Sequence, residues 1–205
     1  VSAAVSGARG YAEEAEHLVR QYESASFAEV HRSILHLIPK SVSRVLDIGA
    51  GTGRDAAAFA SMGHRVLAVE PTTELRTRAK ALHPEESIEW LDDSLPDLRR
   101  VLARHETFDV IMLSAVWMHL DEHERRSAMP KLATLLNERG VMIMSIRHGP
   151  IPPGRRMFEV TADETVRLAR AEELDPVFQA ETLSDLMGRQ GVTWTRLAFA
   201  RQVIP

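Results

Sequence analysis

Hydrophobic positions fall into two regimes along the chain. In the first forty residues they recur at helical spacing: Leu18, Val19 and Tyr22, then Val30, Ile34, Leu35 and Ile38. That period predicts two short helices, at 11–22 and 27–37, with Pro39 closing the second. From residue 44 onward, short apolar runs alternate with segments of mixed polarity. The runs at 44–48, 65–70, 88–91, 108–114 and 141–147 predict strands, and the segments at 54–61, 73–82, 98–105 and 121–136 predict helices. The helix at 121–136 opens on "DEHE", where Asp121 and Glu124 suit a capping box, and Pro130 is expected to kink or split it.

The strands "RVLDI", "DVIML" and "VMIMSI" are apolar on successive positions, not alternate ones. Strands buried on both faces read this way, with helices packed above and below. Repetition of strand and helix implies right-handed crossovers and a parallel sheet. The end of the chain differs. "TADETVRLARA" is a helix with its own capping box, Thr161 and Glu164. The runs at 176–180 and 193–200 are strands joined through Gly188 and Gly191, with no room for a crossover helix, so the sheet should end antiparallel. No internal repeat is visible. The expected organisation is a single domain over 1–205: a frayed terminus at 1–10, cap helices at 11–40 and an α/β core at 44–200.

Composition narrows the function classes. At 205 residues, 44% hydrophobic and 26% charged, the chain can bury a full core. A net charge of −4 argues against a general nucleic-acid binder. The absence of cysteine removes disulfides, thiolate metal sites and cysteine nucleophiles. No apolar run approaches the roughly 20 residues of a membrane span, and no secretory signal is visible, so the default expectation is a soluble cytoplasmic protein without a membrane partner.

The stretch "VLDIGAGTGRD" carries the chemistry. Of 11 glycines, three stand at Gly49, Gly51 and Gly53, between a strand and a helix. A glycine turn before a helix N-terminus lets a ligand touch free backbone N–H groups at the carboxyl end of the first strand. Glu70 ends the second strand, where a carboxylate can accept from both hydroxyls of a ribose. A dinucleotide fingerprint would need a glycine at position 54, which is Arg54, and no Gly-Lys-Ser/Thr follows to make a P-loop.

"VLDIGAGTGRD" followed by "VLAVEP" resembles the first two motifs of the class I S-adenosylmethionine-dependent methyltransferases. "IEWLDDSLPDL" is similar to the third segment of that family, and "FDVIMLSAVWMHL" to its fourth strand and following loop. The resemblance runs from about Val45 to Ile146. It implies a three-layer, Rossmann-like, seven-stranded and mostly parallel sheet with an antiparallel last strand, plus N-terminal helices. It implies S-adenosylmethionine as cofactor. Asp47, Gly49, Gly51 and Gly53 would turn beside its methionine part, and Glu70 would hold the ribose. Asp93 or Asp92 would meet the adenine amino group, and Ser114 and Ala115 would lie near the transferring methyl.

Methyl transfer from an activated sulfonium needs alignment first, and a base only when the nucleophile must lose a proton. His119 is the first candidate base and His148 the second; each also reads as a structural or loop histidine. Tyr11, Tyr22, Trp90, Trp117 and Trp194 read as packing. The loop "SIRHGPIPPGRRMFEV", with Arg147, Arg155 and Arg156, suggests a wall for an acceptor with an anionic group, or a solvated basic loop. "SAVW" lacks the paired prolines of adenine amino-methyltransferases, so the acceptor is expected to be a small molecule, with a protein side chain as the alternative and no nucleic acid. Two other functions stay open: a cofactor-binding protein without transfer, and an NAD(P)-dependent reductase with a degenerate fingerprint. No metal site is expected, and sequence leaves the acceptor and the oligomeric state unread.

Overall fold

The structure is a computed structural model that describes residues 6–8 and 10–201. The frayed terminus expected at 1–10 falls mainly on residues outside the described ones; Ser6–Ala8 form one 3-10 turn. The helices are α1 (Ala15–Tyr22), α2 (Phe27–Val30), α3 (Arg54–Ser61), α4 (Thr73–Leu82), α5 (Arg99–Leu102), α6 (Glu122–Leu135) and α7 (Ala162–Arg170). The strands are β1 (Arg44–Ile48), β2 (Arg65–Val69), β3 (Ile88–Leu91), β4 (Phe108–Ser114), β5 (Leu136–His148), β6 (Leu174–Thr182) and β7 (Thr193–Arg201). They form one sheet in the order β3-β2-β1-β4-β5-β7-β6. β1 to β5 pair in parallel, while β7 runs antiparallel to both β5 and β6. The seven-stranded, mostly parallel sheet with a reversed last strand is thus the one the family resemblance implies.

Apolar residues on both faces of the central strands make two cores. Leu46, Ile48, Ile111, Leu113, Met144 and Ile146 pack with α6 and α7 on one side. Val45, Val110, Met112, Ile143 and Ala198 pack with Phe27, Ile34, Ala56 and Phe59 on the other. Continuous hydrophobic strands therefore meet helices on each face, as in other buried parallel sheets.

Several boundaries differ from expectation. The helix expected at 27–37 is α2 followed by a 3-10 segment, Arg32–Leu37. Its Ser26–Glu29 capping box fixes the start. The helix expected at 98–105 has one α-helical turn, α5. Pro130 neither splits nor ends α6. Pro130 and Arg126, whose carbonyl loses its helical partner, are both exposed, so water can satisfy that carbonyl. Asp121 and Glu124 do form the expected capping box. Thr161 accepts from the Glu164 N–H, but Glu164 turns its carboxylate to Arg125 Nε at 2.8 Å, so only half of that box forms. β5 begins at Leu136, five residues before the expected start, because Leu136 pairs with Phe108 before the register shifts.

Candidate functional site

The carboxyl ends of β1, β2, β4 and β5 open on one cavity of about 810 Å³. It lies at the switch between β1 and β4, where open α/β sheets bind ligands. The glycine turn forms its floor. Gly49 has φ +70° and a Cβ there would lie 2.5 Å from Val116 Cγ2. Gly51 has φ +57°, and no heavy atom stands within 3.8 Å of where a Cβ would be, the first being Gly49 O at 3.9 Å. Gly51 thus takes a left-handed conformation and leaves the cavity side open. Gly53 is different: it does not line the cavity, and a Cβ there would meet His83 Cδ2 and Trp90 Cη2 at 2.9 Å. It serves close packing at the start of α3, not ligand contact.

Glu70 is buried at the end of β2. Gly51 N–H donates to its Oε2 at 2.9 Å and Thr72 N–H to its Oε1 at 2.8 Å. The carboxylate therefore pins the glycine turn while facing the cavity. Burial raises its pKa, and the two backbone donors pull in the opposite direction.

Asp47 lies at the cavity on β1, 1% exposed, and its Oδ2 is buried with no hydrogen-bond partner. Burial, and then the charge of Asp55, push its pKa well above the usual carboxylate range. Asp55, in the first turn of α3, is also buried. It resists the same desolvation because His31 Nε2 lies 2.8 Å from Oδ2 and Arg54 Nε donates to Oδ1 at 2.8 Å, and its pKa falls. Of this adjacent pair, Asp55 has a partner for each oxygen, while Asp47 Oδ2 has none. Neither His31 nor Asp55 was singled out from sequence.

Asp93 reaches the cavity wall, but Asp92 does not. Asp92 pairs instead with Arg76 at 3.4 Å, which leaves Asp93 as the one of the two expected adenine partners that faces the cavity. Asp93 accepts from Ser94 N–H at 2.9 Å on Oδ1, and from Arg100 and Val101 N–H at 2.8 and 2.9 Å on Oδ2. It caps the turn into α5 at the cavity edge. Ser114 and Ala115 line the cavity at the end of β4. Ala115 takes φ +57°, and its N–H donates to Ser145 Oγ at 3.1 Å.

His119 faces the cavity, 7% exposed. Its Nδ1 lies 2.7 Å from the Arg156 carbonyl, which can only accept, so Nδ1 carries the proton. Nε2 then accepts from the Tyr11 hydroxyl at 3.0 Å. Burial lowers the His119 pKa, and Arg155, Arg147 and Arg156 add to that effect. Tyr11, read from sequence as packing, is therefore part of the site. His148 is not: it lies off the cavity wall, with Nε2 2.8 Å from Thr195 Oγ1. Strand alternation sends Arg147 and His148 to opposite faces of β5, and only Arg147 faces the cavity.

Arg189, Trp194 and Arg196 also line the cavity. Sequence reasoning did not single out either arginine as functional. The signal available for Arg196 was a cation inside the apolar run "RLAFA". Among the described residues there is no cluster of three or more metal-ligating side chains, and no helix long and apolar enough to cross a membrane.

Residues 45–140 match the sequence family described as Methyltransferase domain. An uncharacterized methyltransferase of Bacillus mycoides is 30% identical over 129 residues, which span 61% of this chain and 56% of that protein. One of Bacillus cytotoxicus is 28% identical over the same shares. The chain thus spans little more than half the length of these curated relatives. Among solved structures, a TehB-like SAM-dependent methyltransferase from Corynebacterium glutamicum has a TM-score of 0.65 at 19% identity, covering 93% of this chain and 99% of that one. The 1,6-didemethyltoxoflavin-N1-methyltransferase of Burkholderia thailandensis, solved with 1,6-didemethyltoxoflavin and S-adenosylhomocysteine bound, has a TM-score of 0.63 at 21% identity, covering 98% and 93%. The fold is shared.

Proposed function

We propose that this chain, which matches the Methyltransferase domain family over residues 45–140 and shares the fold of SAM-dependent methyltransferases, binds S-adenosylmethionine and transfers the methyl group to a small-molecule acceptor. The observation that carries this reading is the orphaned Oδ2 of Asp47, buried at the cavity beside the glycine turn. A buried carboxylate oxygen without a donor calls for a cationic or N–H-bearing ligand. The ammonium of a methionine moiety supplies one. The pyrophosphate of a dinucleotide would bring negative charge to the same place, which speaks against a reductase.

The other residues fit the same ligand. Each Glu70 oxygen holds one backbone N–H and keeps a lone pair for a ribose hydroxyl. Asp93 Oδ1 accepts one N–H and can take an adenine amino group as well. When bound, the cofactor supplies a methyl group already activated on sulfur. His119 Nε2 is the basic nitrogen of a neutral imidazole and would take the Tyr11 hydroxyl proton as that hydroxyl accepts the one the acceptor releases. The Arg156 carbonyl fixes its tautomer, and Tyr11 holds its orientation.

Calorimetric titration tests the reading. S-adenosylhomocysteine should bind the full chain and NADH should not. Binding of NADH without S-adenosylhomocysteine would replace the methyltransferase reading with the reductase one.

A further inference from the structure

Two cavity arginines stand apart from the rest. Arg147 lies on β5 and Arg196 on β7, and they are 7% and 9% exposed. Across the antiparallel pair, Arg196 sits opposite Ser145 and Trp194 opposite Arg147. These four side chains share one face of the sheet, and all four line the cavity. The Nε of each arginine is buried without a partner. Their other nitrogens meet only uncharged groups. Arg147 donates to the Pro150 carbonyl at 2.9 Å and approaches Met157 Sδ at 4.0 Å. Arg196 donates to the Val30 carbonyl at 2.6 Å and to Thr182 Oγ1 at 3.1 Å.

Of the remaining cavity arginines, Arg54 has Asp55, Arg155 has Glu14 and Arg189 has Asp185, while Arg32 is exposed to solvent. Asp185 is the acidic neighbour of this face, and it accepts from Arg189 at 2.7 Å and Trp194 Nε1 at 3.0 Å. Among the described residues neither Arg147 nor Arg196 makes an ion pair within 4.0 Å. A buried guanidinium without a counter-ion is unfavourable unless a ligand completes it.

We propose that Arg147 and Arg196 form an anion subsite that holds a carboxylate or phosphate group of the methyl acceptor. The inference rests on the methyltransferase reading and names its substrate class. The position separates this subsite from the cofactor's: β5 and β7 lie two and three strands beyond β1, about 10 and 14 Å at ordinary strand spacing. Anion recognition therefore sits on the sheet, and the loop arginines are committed elsewhere. Arg156 pairs with Asp121 and Glu124, and Arg155 with Glu14.

The test is calorimetry on the full chain saturated with S-adenosylhomocysteine, titrated at constant ionic strength with sodium benzoate and with inorganic phosphate. At least one anion should bind, benzoate alone assigning a carboxylate and phosphate alone a phosphate. Arg147→Gln and Arg196→Gln should each weaken that binding at least tenfold and leave S-adenosylhomocysteine affinity unchanged. Arg147→Lys and Arg196→Lys keep the charge, guard against misfolding of the glutamine variants, and should retain part of the affinity. Exposed Arg99→Gln should change nothing. Failure of both anions to bind, equal affinity in all variants, or competition between the anion and S-adenosylhomocysteine would overturn the subsite while leaving the cofactor reading intact. Absence of S-adenosylhomocysteine binding to the unaltered chain would overturn the methyltransferase reading and the acceptor assignment with it.

Discussion

The Tyr11 hydroxyl stands 3.0 Å from His119 Nε2, although 108 positions separate the two residues. The contact joins the segment before α1 to the loop after β4, and so ties the N-terminal cover to the candidate base. Arg155 lies over the Tyr11 ring at 3.8 Å and pairs with Glu14 at 2.6 Å, which adds a second tie across the same seam. Burial of Tyr11 raises its pKa, so the phenol stays a donor at any ordinary pH.

The pH dependence of turnover follows from this pair. His119 must be neutral to accept a proton, and burial lowers its pKa. Activity should be level near neutrality and fall only as pH drops through a value below about 6.5, the unperturbed histidine pKa. Tyr11→Phe frees Nε2 for protonation and should move that acidic limb upward. His119→Gln should lower kcat by about 10²–10⁴ with S-adenosylhomocysteine affinity unchanged, if the acceptor loses a proton on methylation. An acidic limb unmoved by Tyr11→Phe would remove His119 from the base role.

Asp47→Asn should divide stability from binding. The folded-state pKa of Asp47 is raised, so the folded chain binds its proton more tightly than the unfolded chain does. That contribution is present at acidic pH and is lost as pH rises through the folded pKa. Above the unfolded carboxylate pKa of about 4 the ligand-free fold therefore carries a cost at this position that asparagine does not, and asparagine should raise its Tm at neutral pH. The same change should weaken S-adenosylhomocysteine binding by removing the partner for the ammonium. A variant that loses stability and keeps affinity would contradict the assigned role.

Glu70→Ala should act on two levels. The Gly51 and Thr72 N–H groups lose their acceptor, which loosens the glycine turn. Loss of hydrogen bonds to a charged group costs about 1.5–3 kcal/mol, roughly 10- to 150-fold in S-adenosylhomocysteine affinity. Parallel calorimetry and thermal melts separate the binding loss from the loss of the turn.

The sequence disclosed more of the fold than of the site, for a physical reason. β1, α3, α4, β3 and β4 lie where periodicity places them, because each buries a face whose spacing is local. The site depends on which face a residue takes and on partners far along the chain. Arg147 and His148 are adjacent in sequence, yet pleating puts only the first in the cavity. Gly49, Gly51 and Gly53 read as one motif, yet the third meets Trp90 and His83. Tyr11 needs His119, and Arg196 needs Val30, to show what they do. No local pattern encodes those pairings.

Gly149→Ala tests the frame that holds the anion subsite. Gly149 follows β5 with φ +99°, and a Cβ there would lie 2.1 Å from the Gly191 carbonyl oxygen and 3.3 Å from Val192 Cα. Two loop backbones thus meet directly, just beyond Arg147 and just before β7 carries Arg196 onto the same face. Gly154, in the same loop, has φ +77° but nothing within 4 Å of a Cβ. Gly154→Ala should cost only its backbone strain, about 1–3 kcal/mol. Gly149→Ala adds a backbone clash that no side-chain rotation can relieve. Its Tm should fall further, by about 2–4 °C for each additional kcal/mol in a chain of this size. Anion binding should weaken with it as β5 and β7 are pushed apart. Equal melting temperatures for the two variants would show that the loops can separate freely and that this contact does not set the spacing of the two arginines.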